Sequence, residues 1–436
     1  MIFYKETEFQ DSSIGIIPKD WEVTNISGAS LLVTDGSHFS PKHQSSGYPL
    51  ATVANMREND IDVNSCYRIT KEDYEKLVAT GDKPEVNDVL FSKDGTVGQC
   101  IVFNQKVDLI VLSSIAIIRP NLKKINPYFL KYMLQSPAAL DRIIGSKTGS
   151  AIKRIILRDL NSIKIALPNK LEEQKNIVEV LTIVDSAIEL ADKVIAKTER
   201  LKKGLMQHLL TRGIGHTEYK DTPIGKIPKE WELKTLLDAV GGKKDLIIAG
   251  PFGSNLKVCD YRDNGVPIIR LQNIEYGRFI NKNTMFISPE KAEELSYHSF
   301  VEGDIVLAKL GDPIGKTCIV PDFLKKGIVV ADVVRIRANE KFLNKKYAMY
   351  VLNSFYVSNQ LNRETIGTTR PRVNLDQVRN LLVPFPSLPE QKQVADTLST
   401  VDEKLEFERN EKAKLVKIKQ GLMDLLLNGK VRIKVD

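Results

Sequence analysis

Three segments place chemistry-bearing residue types at suggestive spacings, and each lacks something that the chemistry requires. NPYF (126–129) is close to the N-P-P-Y pattern with which amino-methyltransferases hold the amino group of a target base. The second proline is missing, no glycine-rich cofactor loop stands nearby, and the matching segment later in the chain reads NKKY, 344–347. Asn126 and Pro127 therefore read as a helix start, with proline at the first helical position. GDPIGKT (311–317) approaches a phosphate-binding P-loop, but three residues rather than four separate Gly311 from Gly315. Its counterpart GTVGQC (95–100) has no lysine, so a tight glycine turn is expected and nucleotide hydrolysis is not. PDFLKKG (321–327) sets Asp322 near lysines without the second carboxylate of a nuclease metal site, and Asp322 reads as a loop acid.

Cysteine and histidine usage points the same way. Cys66, Cys100, Cys259 and Cys318 form no C-x-x-C pair, and the five histidines form no H-x-x-x-H pair, so neither a zinc ribbon nor a helical metal site is expected. Reduced thiols are the reading, with Cys100 and Cys318 packed in matching apolar runs, QCIVF and TCIVP. No nucleophile, base and orienter set stands out, and no cofactor is expected.

The elements that carry these segments occur twice. TEFQDSSIGIIPKDWEV (7–23) returns as TEYKDTPIGKIPKEWEL (217–233), making Trp21 and Trp231 equivalent. LEEQKNIVEVLTIVD (171–185) returns as LPEQKQVADTLSTVD (388–402), and KKGLM (202–206) as KQGLM (419–423). Each copy has a long mixed segment and then one long helix. In the mixed segment, short apolar runs such as DVLFS, CIVF, IVLSSIAIIRP and SIKIALP alternate with turn residues and read as strands. A helix is expected over 126–143 and over 344–361, from apolar residues at helical spacing.

Asn169 with Glu172, and Ser387 with Glu390, have the spacing of a capping box at the starts of the long helices. Gly213 and Gly429 mark their ends. Ile177, Leu181, Val184, Ile188, Ala191 and Ile195 form a seam of coiled-coil type. Val394, Leu398, Val401 and Leu405 begin the second seam, Glu408 and Lys412 interrupt it, and Leu415, Ile418 and Leu422 resume it. The charged stretch reads as a solvated splay in preference to a docking point. Gly204 and Gly421 inside the helices suggest close backbone approach. A helix of about 40 residues extends ~60 Å and cannot hide an apolar seam alone. The two copies are expected to pack antiparallel, with pseudo-twofold symmetry.

The chain has 436 residues, 42% hydrophobic and 27% charged, enough for several cores. No apolar run approaches the ~20 residues of a membrane span. The opening MIFYKETEFQD does not read as a secretory signal, so a cytoplasmic location is expected. The net charge of +8 falls mostly in the second mixed block and permits, without requiring, a nucleic-acid partner.

These features resemble the specificity subunits of type I restriction-modification systems. The resemblance rests on IGxIPxxWE at the start of each half, NDVLFSKDGTVGQ (87–99) and GDIVLAKLGDPIGK (303–316), the EQ-bearing helix entries and the KKGLMxxLL helix end. It covers practically the whole chain, in the family's order, twice. It implies an α/β (α+β) protein with two similar globular target-recognition domains, 1–170 and 213–387, joined by two antiparallel coiled-coil helices, 171–212 and 388–436. It further implies that each domain reads half of a split double-stranded DNA site. The helices would be the spacer and the docking surface for two modification (methyltransferase) subunits, and catalysis would belong to those and to restriction (translocase/nuclease) subunits. A duplicated scaffold that has lost DNA reading is the rival, and an enzyme fused into one chain the third reading.

Divergence is greatest over 24–86 and 234–302, as expected if those stretches carry different specificities. Within them TDGSHFSPK (34–42) and AGPFGSNLK (249–257) occupy comparable places, making Asp35, Ser37, His38, Ser254 and Asn255 candidates for base edges or phosphates. A purely structural glycine turn is the equal alternative there. Lys93 and Lys309 are equivalent candidates, as are Lys153 with Arg154, and Arg370 with Arg372, before the last strand of each block. Arg270, Gln272 and Asn273 follow the strand-like VPII and have the right chemistry, since Arg pairs with guanine and Gln or Asn with adenine.

Overall fold

Each repeat opens as a β-hairpin, Phe9–Ser12 with Gly15–Pro18 and Tyr219–Thr222 with Gly225–Pro228, which leads into a buried tryptophan, Trp21 or Trp231. The computed structural model describes residues 2–144, 154–364 and 371–434. The chain divides into two units, residues 1–192 with 410–436, and residues 193–409. Among the described residues, no helix is long and apolar enough to cross a membrane.

In the first unit an antiparallel sheet runs in the order Ser30–Asp35, Ile115–Pro120, Val89–Ser92, Cys100–Val102. Ile247–Ala249, Val333–Ile336, Ile305–Ala308 and Thr317–Ile319 form the same order in the second unit. The two inner strands of each sheet read as continuous apolar runs because both faces are covered, whereas Ser30–Asp35 at the edge leaves Leu31 and Leu32 exposed. Val89, Phe91, Ala116 and Ile118 face the core that also receives the helices, whereas Leu90, Ile115 and Ile117 face a smaller core beneath the divergent segment. In the second unit Ile305, Leu307, Val334 and Ile336 take the helix side, and Val306, Ala308 and Val333 the other.

Both thiols expected in the core are buried, and burial pushes each up to about 12. They are not structural equivalents, however. Cys100 lies opposite Phe91 and faces the helix-side core, while Cys318 lies opposite Val306 and faces the smaller one. The turn from Lys309 to Cys318 is longer than that from Lys93 to Cys100, and a one-residue slip in register changes the face.

A second small sheet in each unit carries the divergent segment. Tyr48–Ala51 pairs parallel with Ile110–Val111, and Val266–Ile269 pairs parallel with Lys326–Val329. Buried Asp88 accepts both prongs of Arg119 at 2.9 and 3.0 Å, and buried Asp304 those of Arg337 at 2.7 and 2.8 Å.

Asn126 caps a helix as its sequence suggests, accepting from the amides of Tyr128 and Phe129, and Asn344 accepts from that of Tyr347. The expected single helix is in each case two. Pro127–Gln135 breaks at Ser136 before Pro137–Ile144, since Pro137 has no N–H to continue the ladder. Lys345–Leu352 is followed by Phe355–Glu364, with Asn353 turned to the backbone of Thr317 and Met349.

The long helices span Leu171–Arg212 and Leu388–Leu427. Their segments run antiparallel within each unit. In the first, Asp185 pairs with Lys419 and Asp192 with Lys412; in the second, Lys202 pairs with Asp402 and Glu199 with Arg409. Lys412, expected in a solvated splay, is thus tied across the pair at 2.5 Å. Ile177, Leu181, Met423, Leu426 and Leu427 join the first unit's core, and Leu209, Leu210, Val394, Ala395 and Leu398 the second's.

Three expectations about these helices are corrected. Ile418, assigned to the seam, is exposed, because Lys419 beside it is the residue turned to the partner helix segment. Gly204 and Gly421 have open space where a Cβ would stand, so close backbone contact does not explain them. The acids of the proposed capping boxes are engaged elsewhere: Glu172 pairs with Lys175, and Glu390 binds the chain following the other helix.

The helix starts are anchored by buried polar groups. Gln174 accepts from the amide of Asn126 and donates to the carbonyls of Lys124 and Pro168. Gln391 makes the same three bonds to Asn344, Phe342 and Pro386. The next helical turns are tied by Tyr132 donating to Asp185 and Tyr350 donating to Asp402, each at 2.7 Å. Beside Gln174, Glu173 meets Arg432, whose guanidinium also bonds Glu6 and Asp20. The strands Phe3–Lys5 and Val431–Ile433 pair there. In the second unit the equivalent Glu390 takes His216, the indole N–H of Trp231 and the amide of Ile214. Gly213 and Gly429 adopt φ of 66° and 64° against the tryptophan rings, where a Cβ would crowd Trp231 or Trp21.

Replacing Gln391 by Leu leaves one buried N–H and two buried carbonyls without partners. At roughly 1–3 kcal/mol for each such group, the variant should lose at least about 3 kcal/mol, seen as a lowered urea midpoint. Glu6 is held below the ordinary carboxylate range, first by the amide of Glu8 and also by Arg432, and Asp20 is held below it by Arg432. Depressed values stabilise the fold above the unfolded-state pKa of ~4 and lose that contribution as pH falls through the folded value. Urea midpoints should therefore drop below about pH 4, with a shallower drop for Asp20→Asn.

Candidate nucleic-acid interface

One rim of each unit is built on the same backbone frame. In the first, Gly36 N donates to Ile115 O, Lys93 N to Ser114 O, Leu112 N to Ala51 O, and Ile155 N to Lys93 O. In the second, Gly250 N donates to Val333 O, Lys309 N to Asp332 O, Val330 N to Ile269 O, and Val373 N to Lys309 O. The sheet ends, the divergent loop and the segment before the last strand therefore converge. Glycine is required at 36 and 250 because a Cβ would collide with the carbonyls of Val111 and Leu112, or of Val329 and Val330.

The first unit brings Asp35, Ser37, His38, Lys93 and Arg154 to this rim. Lys93 is only 1% exposed and is paired with Asp35, which also lies 3.5 Å from the exposed His38. Arg154 lies 3.3 Å from Asp94. Ser37 is buried, and its hydroxyl donates to the carbonyl of Phe39 and accepts from the same residue's amide. Lys153 and Arg370 lie outside the described residues.

The charges are arranged differently in the second unit. Lys309 is half-buried, and burial, with Arg372 nearby, holds its pKa below that of an ordinary lysine. The acid here is Asp332, which pairs with the exposed Arg372 at 2.7 Å. Ser254 and Asn255 are exposed on the loop after Gly250, with the Ser254 hydroxyl 3.3 Å from Asn255 Oδ1.

Arg270 and Gln272 both point to the carbonyl of Asn283, at 2.5 and 3.4 Å, and the Arg270 guanidinium lies 5.8 Å from the centre of the Tyr261 ring. Asn273 is fully buried. It accepts from the amide of Arg270 and donates to the carbonyl of Ile280. Asn55 does the same in the first unit, accepting from the amide of Thr52 and donating to the carbonyl of Ser65. Ser37, Lys93 and Asn273 are buried and engaged inside the fold, where they shape the loops beside them.

Sequence reasoning missed Asp332, the buried Asn55 and two exposed aromatic residues, Phe39 and Phe252. Asp332 had no local signal, since it acts through Arg372, 40 positions away, whereas Asn55 sits three residues after Thr52 in a local capping arrangement that went unread. The phenylalanines were visible within the two loops but carried no hydrogen-bonding chemistry.

The family profile described as "Type I restriction modification DNA specificity domain" matches residues 18–200 and 228–417. The chain is 29% identical to the type I restriction enzyme MjaVIII specificity subunit of Methanocaldococcus jannaschii, over all of this chain and 98% of that one. It is 26% identical to the EcoBI specificity subunit of Escherichia coli over 46% of this chain and 43% of that one. A chain from a structure on assembly of the type I R-M system shares the fold, with a TM-score of 0.58 at 15% identity over 95% of this chain and 99% of that one. The type I S subunit from M. genitalium does so with a TM-score of 0.54 at 14% identity, over 95% and 97%. With both repeats matched and both carrying the same frame, this chain belongs to the type I restriction-modification DNA specificity family.

Proposed function

We propose that this chain reads a split, asymmetric double-stranded DNA site, with residues 1–170 and 213–387 each taking one half. The observation that carries this is the pair of rims with one backbone frame and different side chains, which is what two readers of different sequences need. The long helices would serve as spacer and as docking surface for two methyltransferase subunits, with restriction subunits joining the complex. Exposed apolar residues support docking: Ile183 and Leu190 on one helix and Ile418 and Leu425 on the other are each seven residues apart, so each pair shares a helix face. The chain itself would be non-catalytic and cytoplasmic, needing no cofactor, with the methyl donor and nucleotide handled by its partners.

Mapping of adenine methylation in cells that make this chain with its modification subunits should give a two-part motif. Replacing residues 24–86 with those of a relative of different specificity should change one half only; change in both halves or in neither would count against the domain assignment. The rims also predict different salt behaviour. Lys309→Ala should lower the slope of log affinity against log salt by about one and weaken all DNA similarly, since a phosphate-neutralising charge is lost. Lys93→Ala should leave the slope nearly unchanged, because Lys93 is buried against Asp35 and neutralises no phosphate.

A further inference from the structure

We infer that Phe39 and Phe252 are apolar base-contacting residues, one for each half of the DNA site, meeting a thymine methyl or the face of an opened base step. The inference rests on the DNA-reading function proposed above and names side chains that do part of the reading.

Both residues sit just after the glycine that holds the divergent loop against the sheet. Both are held out from the protein: Phe39 is 62% exposed and Phe252 84%. Each lies on a short exposed stretch between buried anchors. In the first unit these are Ser37 and Pro41, with His38, Phe39 and Ser40 exposed between them. In the second they are Pro251 and Leu256, with Phe252, Gly253, Ser254 and Asn255 between them. The backbone is fixed in both. The buried Ser37 hydroxyl holds both the amide and the carbonyl of Phe39, and the carbonyl of Phe252 accepts from the amide of Asn255 at 2.8 Å.

Single exposed apolar residues are ordinary on protein surfaces. Here two loops that hardly align in sequence each present a phenylalanine beyond the same glycine, beside the rim that carries Lys93 and Arg154 or Lys309 and Arg372. Phenylalanine cannot contact phosphate by charge or hydrogen bond, so what it offers DNA is apolar area. In a groove that area fits the thymine methyl, and between bases it fits an unstacked step. A rigid ring with few rotatable bonds on a pinned backbone also has little conformational freedom to lose on binding.

The test uses the complex of this chain with its methyltransferase subunits, on a duplex carrying the methylation-mapped target and on a scrambled duplex. Phe39→Ala and Phe252→Ala should each weaken target binding by about tenfold or more, the effect of losing one base-pair readout, and leave the scrambled duplex unaffected. Base substitutions at one position should stop mattering in one half-site for Phe39→Ala and in the other for Phe252→Ala. Uracil in place of thymine identifies a methyl contact if it weakens the wild type but not the variant. 2-Aminopurine that brightens with the wild type alone identifies an opened step. Unchanged target affinity and methylation pattern, or equal losses on both duplexes, in variants with wild-type melting temperature and subunit assembly, would overturn the inference. A wild-type complex that cannot distinguish the two duplexes overturns the DNA-reading proposal, and this inference with it.

Discussion

Each long helix begins inside its unit, and its first turn must find partners for polar groups that water does not reach. The side-chain amides of Gln174 and Gln391 meet that constraint. Each joins the helix to the start of a neighbouring helix, to the loop before it and to the end of the last strand of the mixed segment. The sheets, the tryptophan hairpins and the rims are positioned from that junction. An unsatisfied buried amide is costly enough to exclude nearby alternatives, so the same three bonds occur in both units although much else differs.

The neighbouring acid shows how one position adapts to different surroundings. Glu173 and Glu390 occupy equivalent places, yet one meets a guanidinium that it shares with two other carboxylates and the other an imidazole, an indole and a backbone amide. In the second unit the chain runs covalently through this region, so backbone and ring donors are at hand. In the first, the strands Phe3–Lys5 and Val431–Ile433 come from opposite ends of the chain, and Arg432 ties them to the helix.

The rims follow the same logic. Backbone hydrogen bonds set where the loops stand, and side chains set what each presents. The charge of Lys93 is taken up by Asp35, whereas Lys309 lies beside Arg372, whose acid is Asp332. One frame thus carries two electrostatic surfaces without a change in strand order.

The sequence by itself determined the duplication, the strands, the long helices and the asparagine starts of the shorter ones, because periodicity and capping are local and recur at matching positions. It also placed Gly36 and Gly250 in loops of the right kind. The tertiary structure decided what depends on distant residues. The turn before Cys318 moved that thiol to the opposite face from Cys100. Lys93 was drawn inside by Asp35 from another strand of the sheet, and Glu390 was taken from its own helix cap by residues more than 150 positions away. Side-chain type announces a capacity to bond, but burial and the nearest available partner decide where that capacity is used.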